Sequence, residues 1–289
     1  LTRLNSNGSV DSQFPGLRSG FDNTVSVTAL QSDGKILLGG SFGSYNSKTE
    51  ASDYLIGLNA KGEVDSSYSG IGSGFNNAVN AIVVLHSGKI LVGGSFTAYN
   101  GDINAPNYLI RLNADGSADS TFSGLISGFN NIVHSIAVQT DGKILVGGRF
   151  TSYNGDSGAA DRFLRLNSNG SVDSSFTGLS SGFDSTVNSI VLQPDGKILV
   201  GGDFRFYNGS SSAPDRFLRL NTNGTLDSTM TGLTEGFDSD VFSITLQSDG
   251  KIVVGGDFRS YNSDIRMPDH LIRLNSDGSA DSSFLSQTR

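Results

Sequence analysis

From Val133 the chain reads V-H-S-I-A-V-Q, apolar and polar residues in loose alternation, breaks at T-D-G, and resumes as K-I-L-V-G-G, a nearly continuous apolar run. Alternation with a period of two marks a half-buried strand, and an unbroken short apolar run marks a strand covered on both faces. A polar loop, T-S-Y-N-G-D-S-G-A-A-D from Thr151, leads to a third strand, R-F-L-R-L-N from Arg162. The turn S-N-G then leads to a fourth, S-V-D-S-S-F from Ser171. The pattern predicts a four-stranded antiparallel meander, with helical periodicity nowhere along the chain.

The whole pattern repeats. Lys35, Lys89, Lys143, Lys197 and Lys251 stand 54 residues apart, and Phe21, Phe75, Phe129, Phe183 and Phe237 keep the same step without insertion or deletion. In Q-T-D-G-K and N-S-N-G-S, a three-residue loop ending in Gly is the signature of a type I turn closed by a left-handed residue in a G1 bulge. That geometry sets Gln139 opposite Lys143, Asn167 opposite Ser171, Arg165 opposite Asp173 and Gly147 opposite Ser135. The Arg and Asp pairing recurs as Arg3 with Asp11, Arg111 with Asp119, Arg219 with Asp227 and Arg273 with Asp281, and Gly57 replaces the Arg in one repeat.

A 54-residue meander cannot bury both faces of its second strand alone, so neighbouring sheets must cover it. Radial stacking of such sheets predicts an all-β fold, a five-bladed β-propeller of four-stranded antiparallel blades. The blades run 21–74, 75–128, 129–182, 183–236 and 237–284, and residues 285–289 form a tail. The third-to-fourth hairpin occurs once more than the first-to-second, so residues 1–20 carry a spare N-terminal hairpin. Three roles are open to it: the tail of a preceding blade, a competitor of the last hairpin for ring closure, or a strand donor to a neighbouring subunit.

Composition narrows the classes. A net charge of −8 and a pI near 4.8 oppose nucleic-acid binding, which draws on clustered Lys and Arg, and oppose anionic membranes equally. The chain has no cysteine, hence no disulfide framework or thiolate metal site, and no apolar run long enough for a spanning helix. It opens on L-T-R-L-N, with neither Met nor leader, and reads as a processed product or an excerpt of a longer chain.

The pairing of DGKILVGG with RLNSNGSVDSSF resembles the delta-60 repeat, a bacterial β-propeller-type repeat of long surface-exposed and phage-associated proteins. The resemblance covers essentially the whole chain. It implies a scaffold on a virion, appendage or cell surface, without a particular reaction.

The glycine pair lies within a strand and no helix follows it, so it reads as a place of close approach between blades rather than as a phosphate cradle. The turns around Asn113, Asp115 and Asp119 resemble calcium loops but lack the sixth-position Gly and twelfth-position Glu, and Lys61 stands at the equivalent of Asp115 in another repeat. His86, His134 and His270 occupy non-equivalent positions, so no metal, cofactor or catalytic triad is expected. Asn7, Asn169, Asn208 and Asn223 lie in N-glycosylation sequons.

Recognition, if any, falls on the long loops after the second strands. There Tyr45, Tyr99, Tyr153, Tyr207 and Tyr261, each followed by an asparagine (Asn46, Asn100, Asn154, Asn208, Asn262), could stack on sugars, or could cover the blade ends. Asp22, Asn76, Asn130, Asp184 and Asp238 precede the first strands and could rim a central channel, or could cap the backbone locally. The expected function is a non-enzymatic structural or assembly propeller, extracellular or on a virion, that associates with itself or with neighbouring subunits. A glycan-binding propeller is the alternative. A glycosidase using Asp184, Asp238 or Asp22 is the third reading.

Overall fold

The turns do what their sequences require. The Gln139 amide donates to the Lys143 carbonyl at 2.8 Å, and that of Asn167 to Ser171 at 2.8 Å. Gly142 and Gly170 take the left-handed conformation, with φ of 83° and 90°. A side chain at either position would be strained.

The computed structural model describes residues 2–12, 14, 19–31, 33–47 and 53–285. The strands among them are β1 (Val25–Leu30), β2 (Ile36–Gly40), β3 (Leu55–Leu58), β4 (Val79–Val84), β5 (Ile90–Gly94) and β6 (Leu109–Leu112). They continue as β7 (Val133–Val138), β8 (Ile144–Gly148), β9 (Phe163–Leu166), β10 (Val187–Leu192), β11 (Ile198–Gly202) and β12 (Phe217–Leu220). β13 (Val241–Leu246), β14 (Ile252–Gly256) and β15 (Leu271–Leu274) complete the series. Consecutive triplets form separate sheets, each with its second strand in the middle. The expected register holds where it is defined, as in Leu192 opposite Ile198 and Ser189 opposite Gly201.

The sheets are three-stranded, which corrects the expected four. The fourth strand survives as one bridge per repeat, such as Leu166 with Val172 and Leu220 with Leu226. The cause is Asp173 and its equivalents. Its Oδ1 accepts the Ser175 amide at 3.0 Å and its backbone carbonyl accepts the Phe176 amide at 3.3 Å, so the chain turns where it would have had to stay extended.

The chain divides into two compact units, Leu1–Val133 and His134–Arg289, and each is described by itself. In the N-terminal unit β1 and β2 pack against β4. In the C-terminal unit β8 packs against β10, and β10 and β11 pack against β13. The two glycines of each pair have separate jobs. A Cβ at Gly201 would lie 2.5 Å from the Val241 Cγ1 of the next repeat, and one at Gly202 would lie 2.0 Å from the Thr186 carbonyl of its own. The first glycine therefore admits a neighbouring sheet and the second admits the chain entering the sheet.

The spare hairpin keeps the repeat's own contacts. Leu4 bridges Val10, Arg3 Nε holds Asp11 at 2.7 Å, and Arg3 Nη1 donates to the Ala60 carbonyl at 2.8 Å. Phe14 is buried against Gly62. At the other end, Ser282–Leu285 forms a single helical turn. Residues 286–289 of the tail expected at 285–289, the link at 15–18 and the loop at 48–52 lie outside the described residues.

Candidate functional site

The residues that recur in every repeat are bonded into the fold. The five tyrosines, Tyr45, Tyr99, Tyr153, Tyr207 and Tyr261, are buried. Each donates its hydroxyl to a turn carbonyl, that of Gly62, Gly116, Gly170, Gly224 and Gly278 respectively. Burial raises the pKa of all five hydroxyls. Rings buried in this way offer no open face for stacking on a sugar.

The asparagines that follow take φ near 50°, a conformation Asn tolerates. Asn100 accepts the Gly74 amide at 3.2 Å and donates to the Gly70 carbonyl at 2.9 Å. Asn208 accepts from Gly182 at 3.2 Å and donates to Gly178 at 2.7 Å, and Asn262 accepts from Gly236 and donates to Gly232. Asn46 accepts from Gly20 at 3.1 Å. The amide of Asn208, one of the sequon residues, is thus tied to the backbone, whereas Asn7, Asn169 and Asn223 are exposed on turn tips.

The second series caps loop backbone. Asp22 Oδ1 accepts the Gly43 and Ser44 amides, Asn76 those of Thr97 and Ala98, Asp184 those of Arg205 and Phe206, and Asp238 those of Arg259 and Ser260. The Ser44 amide is the largest of the influences that lower the Asp22 pKa. Asn130 is likewise engaged.

A third recurrent group went unrecognised in the sequence. The lysine that opens each second strand completes the Arg and Asp pair: Lys143 Nζ lies 2.9 Å from Asp173, Lys197 2.9 Å from Asp227 and Lys251 2.8 Å from Asp281. Its fixed place in the repeat was the available signal. Where Gly57 replaces the Arg, the Tyr68 ring fills the vacated space and its hydroxyl bonds Gln31.

What departs from the repeat is more informative for function. The residue after the glycine pair is Ser41, Ser95 and Arg149 in three repeats but Asp203 and Asp257 in the last two, and Asp240 stands where the others have Thr24, Ala78, Ile132 and Thr186. Burial, a hydrogen bond to Asp203 and the Asp203 charge push Asp240 up to about 6. Arg216 reaches toward Asp240 at 4.0 Å, and its Nε makes no hydrogen bond. Ser185 donates to Asp203 at 2.9 Å, and His270 lies 3.8 Å from Asp257. Elsewhere, burial and Arg149 lower the His134 pKa and keep the ring neutral. Among the described residues no three His, Cys, Asp or Glu side chains are grouped to hold a metal ion.

This acidic group predicts a pH effect. The folded Asp240 carboxyl holds its proton to higher pH than the unfolded chain does, so stability falls as pH rises from the ordinary carboxylate range through about 6. Asp240→Asn is expected to flatten that slope in thermal melts, leaving the variant more stable than the parent at neutral pH and equal to it in acid.

A second departure lies in the loop after β11. Phe206 is half-exposed where the other repeats have Ser44, Ala98, Ser152 and Ser260. It borders a shallow groove of about 280 Å³ with Asp161, Arg162, Ser181 and Asp184.

A family model described as "Domain of unknown function (DUF5122) beta-propeller" matches residues 31–68, 87–122, 139–176, 193–229 and 247–284. Each match opens near the first turn and ends at or beside the aromatic or Met position closing the last hairpin. No curated protein matches the chain. Among solved structures, the WD40 β-propeller domain of Doa1 is 18% identical with a TM-score of 0.50, covering 82% of this chain and 62% of that one. The chain thus spans about three fifths of that relative's length. Virginiamycin B lyase from Staphylococcus aureus is 12% identical, with a TM-score of 0.47 and coverage of 91% and 71%. PorZ, a surface component of the type-IX secretion system of Porphyromonas gingivalis, is 14% identical, with a TM-score of 0.46 and coverage of 93% and 34%. At these identities the likeness speaks to fold alone, and at the two lower scores it carries no argument.

Proposed function

This chain belongs to the DUF5122 beta-propeller family, and on that premise we propose that it is a non-enzymatic structural module that builds assemblies outside the cell or on a virion. One observation carries the reading. The polar side chains that recur in each repeat, from the tyrosine hydroxyls to the Arg, Asp and Lys groups, are bonded to the protein itself, as a scaffold's would be. The resemblance to delta-60 repeats supports the surface or virion setting. No described helix is long and apolar enough to cross a membrane. Chromogenic ester, lactone and glycoside substrates should show no turnover from acid to neutral pH. Turnover abolished by Asp240→Asn or Asp184→Asn would replace the scaffold with an enzyme.

The groove beside Phe206 favours glycan binding as a second reading. A half-exposed aromatic flanked by Arg162, Asp161 and Asp184 offers one apolar face and several hydroxyl partners. On this reading a glycan array gives a signal that Phe206→Ala removes and Tyr207→Phe leaves in place. A folded sample silent on every sugar excludes it.

A further inference from the structure

Within each unit an arginine clasps one repeat to the next. Nη1 of Arg3, Arg165 and Arg219 donates at 2.8, 2.7 and 2.7 Å to a turn carbonyl of the following repeat, that of Ala60, Thr222 and Ser276. Arg165 Nη1 also reaches the Gln139 side-chain oxygen at 3.3 Å, and Phe176 and Met230 lie on the turn glycines Gly224 and Gly278. In charge, Arg219 and Lys197 balance the buried Asp227 and the turn residue Asp195.

The junction between the first and second repeats, wholly within the N-terminal unit, lacks that cation. Gly57 stands at the arginine position, and the equivalent turn carbonyl is that of Ala114, to which no side chain among the described residues donates. Tyr68 fills the space beside Gly57, where a Cβ would lie 1.9 Å from its Cδ2, and leaves the turn glycine Gly116 to Ile71. The phenol brings no charge. Lys35 alone faces two carboxylates, Asp65 at 3.3 Å and Asp33 at 3.6 Å, and the buried Asp65 Oδ2 receives no hydrogen bond. The junction is one positive charge short.

An open groove of about 590 Å³ lies there. Gln31, Asp33 and Tyr68 line it from the first repeat, and Leu85, His86 and Ala114 from the second. Both sides depart from the repeat at this one place. Leu85 stands where the other repeats have Gln31, Gln139, Gln193 and Gln247, and His86 where later ones have Thr140, Pro194 and Ser248.

We propose that this groove binds a guanidinium group on a short alkyl stem, as in an arginine side chain. It takes from outside the cation that the chain itself supplies at Arg3, Arg165 and Arg219. The planar head donates to the Ala114 carbonyl and the Gln31 oxygen, as Arg165 does to Thr222 and Gln139, and Asp33 meets its charge. The Tyr68 hydroxyl already bonds Gln31, but a carboxamide oxygen accepts two donors. The stem lies against Leu85 and His86. An ammonium, a compact and strongly hydrated point charge, matches the paired oxygens less well. The site is independent of the groove beside Phe206.

Proton NMR of the full chain tests this, because His86 is one of only three histidines and its ring signals report on the groove directly. Propylguanidine is expected to shift them with a Kd of about 1 mM, and the neutral isostere propylurea to bind at least about tenfold more weakly. Gly57→Arg combined with Tyr68→Phe recreates the pair present as Arg165 and Phe176. That variant is expected to fill the groove and weaken binding at least about tenfold without lowering the melting temperature. Asp33→Asn, on the exposed turn, should weaken binding roughly threefold. A blocked Gly-Arg-Gly peptide that binds more tightly than propylguanidine assigns the natural ligand to a protein chain. Equal affinity assigns it to a free guanidinium compound, and both results uphold the site. No shift at about ten times the expected Kd overturns the proposal, as does propylurea binding equally well or affinity unchanged in either folded variant.

Discussion

Asp227→Ala is expected to cost the C-terminal unit about 3–5 kcal/mol, measured as a shift in denaturant midpoint, because it strands a buried cation. Asp227 accepts Arg219 Nε at 2.6 Å, Lys197 Nζ at 2.9 Å, and the amide and hydroxyl of Thr229 at 3.0 and 2.8 Å. Lys197 can swing into solvent, but the Arg219 side chain is only 7% exposed and has no such exit. The sign of the pH dependence follows. Burial alone would raise the Asp227 pKa, but Lys197, Thr229 and Arg219 outweigh it and hold the carboxyl well below the usual range. Its contribution is therefore complete above the ordinary carboxylate range and is lost as pH falls toward the folded value. Parent and variant should converge in acid, and a gap that persists there would show that packing, not charge, sets the cost.

Phe183→Ala is expected to cost a similar amount, about 3–5 kcal/mol, through a cavity rather than a charge. The ring is buried, with centroids of Phe204, Tyr207 and Phe163 at 4.4, 4.8 and 5.7 Å. The equivalent Phe21 is only half-buried, although Phe42 and Tyr45 lie at 4.5 and 4.8 Å. Phe21→Ala should therefore cost clearly less, since water already reaches one side of the ring. Equal losses at the two positions would mean that ring contacts within a repeat, not the covering sheet, supply the stability.

Local chemistry made much of this structure readable in advance. A turn ending in left-handed glycine permits one register, so the pairings of Gln139 with Lys143 and Arg165 with Asp173 followed from spacing alone. The fourth strand misled because S-V-D-S-S-F alternates as a strand does, while its Asp captures the amide two residues on. The tyrosine series stayed open between two readings for another reason. A sequence shows where an aromatic sits in a loop but not whether its hydroxyl reaches a carbonyl 17 residues further along, as Tyr207 reaches Gly224. Asp203 and Asp240 escaped because a search for recurrence discards the positions that fail to recur, and a site confined to one pair of repeats consists of such positions.

The clasp between repeats reads almost no side-chain identity. Arg165 and Arg219 find a backbone carbonyl, and Phe176 and Met230 lie on a bare glycine. A copy of the repeat can therefore follow any other without a matching change in its neighbour. Lengthening the chain by a whole 54-residue step would create a junction held by the same parts.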